Sequence, residues 1–176
     1  MSYGIWNEKL IAHVFGRSQD TSPVSRIPAT PEELCLAARY NPADMNRDEI
    51  EAVVADFLKC VRAELKEPRR SLLGYCLHYR KDRTWWGPNS PDQPYFFAML
   101  WLMCLVAYGF PIDVDGDFYT RMRNALDGNV NLQAIELGEL DDVWEDLEKW
   151  AAKRTEYRDL ILPPRNEHRT IIGRSH

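Results

Sequence analysis

The chain has 176 residues, 45% of them hydrophobic and 11% aromatic, with a net charge of −5. That is long enough and apolar enough for one folded domain with a core, and it excludes a disordered chain. The acidic balance excludes a global attraction to nucleic acid or anionic membranes, while leaving room for a local basic patch. The opening "MSYGIWNEKL" has no basic start followed by an apolar run, so it is not a secretory signal. Cys35, Cys60, Cys76 and Cys104 lie far apart in apolar, helix-like contexts. They read as reduced, buried thiols of a cytoplasmic protein rather than as a disulfide framework.

In "SYGIWNEKLIAHVF", Trp6, Leu10 and Val14 recur four apart, with Ile11 and Phe15 beside them. That spacing predicts a helix with Ser2 as its cap. "RSQDTSPVSRIP" is polar and proline-bearing, a loop. Thr30 then caps a second helix, with Pro31 at its first position and Glu33 completing a capping box. Leu34, Ala37 and Ala38 face inward. The third helix is capped by Asn46, with Glu49 three residues on. Ile50, Val53, Val54, Phe57, Leu58, Val61 and Leu65 give it an apolar stripe of four to five turns, about 3.6 residues to the turn. Glu64 projects into that stripe, where a carboxylate near a helix end is ordinarily solvated or paired with an arginine.

"RRSLLGYCLHYRKD" reads as a further helix and "WGPNSPDQP" as a loop. "YFFAMLWLMCLVAY", Tyr95 to Tyr108, holds no charge. It falls short of the roughly twenty residues a membrane span needs. Gly109 and Pro111 close it, so it reads as the central core helix of a bundle. "FYTRMRNALDG" is a short helix ended by Gly128. "ELDDVWEDLEKWAAKR" is a last long one, burying Leu140, Val143, Trp144, Leu147 and Ala151. Its acidic first half and basic last turn suit the helix dipole. "LILPPRNEHRTIIG" leaves helical periodicity.

The expected fold is therefore mainly α: six or seven helices in an irregular bundle around the apolar helix. Residues 1–160 form the helical domain, and 161–176 a short stranded or irregular C-terminal segment leading into a further domain. Trp6, Phe57, Trp101, Trp144 and Leu147 are expected in or near the core.

Several patterns bear on chemistry. In "DVDGD", Asp113, Asp115 and Asp117 fit the first three ligand positions of a calcium loop. The sixth position is Phe118 rather than glycine, and the twelfth is Asn124 rather than a bidentate glutamate. A turn at Gly116 and a helix cap from Asp115 or Asp117 account for the acids without a metal. Cys76 and His78 are two apart on a helix and point different ways, while His13 and His168 stand alone. No nucleophile elbow, phosphate loop or dinucleotide fingerprint occurs. No cofactor and no metal is expected. An enzyme would have to assemble dispersed groups such as Glu64, His78 and a second carboxylate.

The basic stretch Lys59–Trp86 contains Lys59, Arg62, Lys66, Arg69, Arg70, Arg80, Lys81 and Arg83, opposed by Glu64, Glu67 and Asp82, and ends in Trp85 and Trp86. Three readings fit it. It can be a solvated helix face followed by two core tryptophans. It can be a protein interface, where tryptophan and arginine dominate. It can be a contact for nucleic acid or phosphate, with Arg69, Arg70, Arg80, Lys81 and Arg83 on phosphates and Trp85 or Trp86 stacking on a base.

"WEDLEKW" at 144–150, followed by "LPP" and "HRTIIGRSH", with "AMLWLMCLVAY" and "DGDFYTRMRNALDG" upstream, is similar to amino-terminal parts of large bacterial proteins, some associated with anti-phage defence loci. The resemblance runs from Tyr95 onward. It implies a helical module working inside an assembly and carries over no catalytic residue. The strand-like ending agrees with a chain that is part of a longer protein. The function expected is a non-catalytic interaction module binding a protein partner or further domains of the same polypeptide. Nucleic-acid binding is the runner-up and an enzyme of dispersed acids the third reading.

Overall fold

The computed structural model describes residues 1–15, 29–64, 97–110, 115 and 118–126, together with Leu147 and Trp150. Within them lie five α-helices and one 3-10 turn, and no strand. They are α1 (Tyr3–Phe15), α2 (Pro31–Ala37), the 3-10 turn Pro42–Asp44, α3 (Arg47–Glu64), α4 (Phe97–Ala107) and α5 (Phe118–Ala125). The mainly-α expectation holds. The predicted helix over 69–82, the loop over 86–94 and the C-terminal segment over 161–176 lie outside the described residues.

The helix starts follow the sequence closely. Ser2 Oγ accepts from the Ile5 N–H at 3.4 Å and the Ser2 carbonyl from the Trp6 N–H at 3.1 Å, so Ser2 opens α1. Thr30, extended at φ −120° and ψ 164°, accepts from the Glu33 N–H with Pro31 at the first helical position. At α3 the capping box closes in both directions. Asn46 Oδ1 accepts from the Glu49 N–H at 3.0 Å, and the Glu49 carboxylate accepts from the Asn46 N–H at 2.8 Å. Each such cap is worth about 1 kcal/mol.

α1 is the hub and packs on α2, α3 and α4; α2 lies on α3, and α5 on α4. The buried face of α1 is Tyr3, Trp6, Asn7, Leu10, Ile11, Val14 and Phe15, and that of α3 is Val53, Val54, Phe57, Leu58, Cys60 and Val61. α4 is buried nearly all round, as a helix without a charge must be, with Cys104 and Ala107 at the edge of the core. Trp6 meets Phe57 edge to face at 5.3 Å, and Phe15 meets Phe97 at 5.4 Å. Trp6, Phe57, Trp101 and Leu147 are fully buried, as expected, while Trp144 lies outside the described residues. Trp150, absent from the expected inner face of the last helix, is buried against Phe15 at 5.3 Å. It stands three residues from Leu147 and so shares that face. No described helix is long and apolar enough to cross a membrane.

Candidate functional site

Three polar assemblies hang on the helices that meet α1. The first joins α1 to the start of α4. Asn7 sits among the apolar residues of α1, nearly inaccessible, and its Oδ1 accepts from the Ala98 N–H at 2.8 Å. Ala98 is the second residue of α4, where a backbone N–H has no partner within its own helix. Asn7 therefore caps α4 from a neighbouring helix.

The second assembly ties α1 to α3. Asp56, half-buried on α3, accepts from the Met1 ammonium at 3.0 and 3.1 Å and from the Trp6 indole Nε1–H at 3.0 Å. The Cys60 thiol donates to the Met1 carbonyl at 2.6 Å. Desolvation pulls the Asp56 carboxyl up, but the hydrogen bonds from the ammonium and the indole outweigh it, leaving the group below its ordinary value. The hydrogen bond to Asp56 raises the ammonium, against a smaller desolvation effect. Desolvation raises the thiols of Cys35 and Cys60, with nearby acids adding to it. Cys104 reaches the surface in part, but its thiol is desolvated and pushed up to about 12. All three are thus held as neutral thiols, the unreactive form.

The third assembly joins α1 to α2. His13 Nε2 pairs with Glu33 Oε2, the imidazole nearly buried and the carboxylate more open. The His13 ring meets Trp101 of α4 edge to face at 6.2 Å. Along the chain His13 stands alone. Packing brings it a carboxylate twenty residues along the chain, on the residue that also receives the Thr30 cap. The Trp101 indole N–H, fully buried, has no hydrogen-bond partner among the described residues.

Beyond these, α2 ends in a distinctive corner. The Arg39 N–H donates to the Leu36 carbonyl and the Tyr40 N–H to the Cys35 carbonyl, both at 2.9 Å. This is the paired pattern of a Schellman cap, with Arg39 left-handed at φ 71° where glycine is usual. Leu36 and Tyr40 are 37% and 51% exposed on either side of it. Asn41 then accepts from the Ala43 N–H and donates to Asp44, fixing the 3-10 turn. The corner is thus pinned by four hydrogen bonds while presenting apolar side chains to water.

Arg69, Arg70, Arg80, Lys81, Arg83, Trp85 and Trp86 all lie outside the described residues, as do His78 and Cys76. Of the flanking basic residues, Arg62 is described, and its Nε–H donates to the Ala125 carbonyl at the end of α5 at 2.8 Å. That is the helix-terminal role a cation commonly takes. Glu64 is half-buried in the last turn of α3. Of "DVDGD" only Asp115 is described, and it is exposed. Among the described residues no group of three His, Cys, Asp or Glu could hold a metal ion. No family model matches the chain, and no curated protein or solved structure matches it either.

Proposed function

We propose that this chain is a helical interaction module mediating protein–protein assembly, with no chemistry of its own. The observation that carries the reading is the corner after α2. Leu36 and Tyr40 stand exposed on a cap whose backbone is fixed by hydrogen bonds. A rigid corner offering an aliphatic and an aromatic side chain loses little entropy on binding, and tyrosine is among the residues that dominate interface energetics. The described titratable groups fit the same reading, since Asp56, His13 and Glu33 each join one helix to another. The likeness of the chain from Tyr95 onward to amino-terminal parts of large bacterial proteins, some associated with anti-phage defence loci, fits a module working inside such an assembly, and the free thiols of Cys35, Cys60 and Cys104 fit a cytoplasmic setting.

Replacing Tyr40 with a photo-crosslinking phenylalanine analogue in the full chain tests this. Adducts to a defined protein, lost with Leu36→Ser, are the expected result. If irradiation gives adducts only from a control position such as Glu8, exposed on α1, or none at all, the corner is not an interface. Salt-sensitive binding of DNA or RNA that disappears with Arg80→Glu/Arg83→Glu would replace this reading with a nucleic-acid-binding one.

A further inference from the structure

The corner also has a charge. Residues 30–51 hold six acids and two arginines, a net of −4 against −5 for the whole chain. Arg47 is committed to Glu51 at 2.7 Å, Glu49 to the capping box and Glu33 to His13. Glu32, Asp44 and Asp48 are exposed and form no ion pair among the described residues. Helix-end electrostatics explain why Glu32 and Asp48 stand in the first turns of α2 and α3. That stabilisation does not remove their charge from the surface.

The placement matters for binding. Glu32 lies one helical turn before Leu36, and Asp44 lies four residues after Tyr40. The apolar pair therefore has acids on both sides of it in the chain, with two opposing charges at the cap, Arg39 and Lys9, whose Nζ donates to the Ala38 carbonyl at 3.4 Å. Such a set of acids repels phosphate backbones and anionic membranes and attracts cations, within about 8 Å at physiological salt. From this arrangement we infer that the corner docks a basic amphipathic segment of a partner protein. Apolar residues of that segment cover Leu36 and Tyr40, and its lysines or arginines face Glu32, Asp44 and Asp48. The inference rests on the interaction reading above and specifies the chemistry of its partner.

The test uses the full chain and three fluorescent peptides of about 18 residues, five helical turns. One is an amphipathic leucine–lysine peptide. The second carries glutamate at every lysine position, and the third serine at every leucine position. Binding of the leucine–lysine peptide is expected to exceed that of the other two. It should weaken about tenfold in Asp44→Lys/Asp48→Lys and in Leu36→Ser/Tyr40→Ser, and be unchanged in Glu8→Lys, an exposed acid on α1. Circular dichroism confirms that each variant folds. Equal binding of the lysine and glutamate peptides, both lost in Leu36→Ser/Tyr40→Ser, overturns the basic partner and leaves the corner an interface. Lysine-peptide binding that ignores Leu36→Ser/Tyr40→Ser overturns both. Self-association of the chain, abolished by the same substitutions in sedimentation, assigns the corner to a second copy and overturns the inferred partner.

Discussion

Two helices of this protein end in the same hydrogen-bond pattern with opposite chemistry. After α4, the Gly109 N–H donates to the Val106 carbonyl at 3.0 Å and the Phe110 N–H to the Leu105 carbonyl at 3.2 Å. After α2, Arg39 and Tyr40 repeat that pairing on Leu36 and Cys35. Gly109 sits at φ 108° and Arg39 at φ 71°, both left-handed. At Gly109 an added Cβ would lie 3.0 Å from the Arg121 guanidinium, so the cap turns against another element. At Arg39 the side chain stands in water. The joint after α4 turns against α5 and takes glycine, although Tyr108 beside it is exposed, whereas the corner after α2 tolerates a left-handed arginine in water and exposes both Leu36 and Tyr40.

If the interior joints carry stability and the corner does not, the largest loss belongs to Asn7→Ala. The Ala98 N–H at the start of α4 would be left buried without its acceptor, at a cost of about 1–3 kcal/mol. Urea denaturation with an unchanged slope checks this. A loss within about 0.5 kcal/mol, the range of ordinary surface substitutions, would show that the asparagine is not a cap. Gly109→Ala comes next, at about 1–2 kcal/mol. Most of that is backbone, because the guanidinium end of Arg121 can shift away from the new methyl group.

Asp56→Asn sharpens the contrast through pH. Asp56 lies below its ordinary 3.8 in the fold, so its contribution is complete above 3.8 and is lost as pH falls through the lowered native value. The Met1 ammonium lies above its ordinary 8.0, so its contribution is complete below 8.0 and is lost as pH rises through the raised native value. The gap in urea midpoint between the native chain and Asp56→Asn should be widest from about pH 5 to 7 and narrow on both sides. The pair is partly exposed and screened, so the gap should be smaller than the Gly109 effect. A gap that narrows on the acid side but not on the alkaline side would mean the carboxylate acts as a hydrogen-bond acceptor for Trp6 without help from the Met1 ammonium.

The same contrast separates what was legible in the sequence from what was not. Periodicity alone locates α1, α3 and α4, because burying a stripe, or a whole charge-free helix, leaves its spacing in the chain. Caps are equally local, and Ser2, Thr30 and Asn46 announce themselves within three residues. Asn7 was within reach too. It lies four residues after Tyr3 and three and four before Leu10 and Ile11, inside the apolar stripe, where an amide needs a buried partner. What periodicity does not carry is which helices touch. The pairing of His13 with Glu33 and of Asp56 with Trp6 depends on tertiary packing across loops of arbitrary sequence. The left-handed Arg39 was hidden for another reason, since the residue expected there is glycine. The basic stretch containing Arg80 and Trp86 was conspicuous in sequence and lies outside the described residues.

The smallest effect is expected at Arg39 itself, and its sign is opposite. Arg39→Gly removes the clash between Cβ and the carbonyl, about 1–2 kcal/mol for a left-handed residue. Against that, glycine makes the unfolded chain more flexible, by about 0.5–1 kcal/mol. The net is a gain of up to about 1.5 kcal/mol, readable as a higher urea midpoint. The substitution also deletes one of the two positive charges at the corner, leaving Lys9, so a basic peptide should bind more tightly even as the protein becomes more stable. Arg39→Ala deletes the same charge without relieving the backbone. It should match Arg39→Gly in peptide binding but not in midpoint. If Arg39→Gly and Arg39→Ala shift the midpoint alike, the left-handed backbone is not strained, and the contrast with Gly109 fails. If both weaken peptide binding, Arg39 contacts the partner directly, and the acids at the corner are not what selects it.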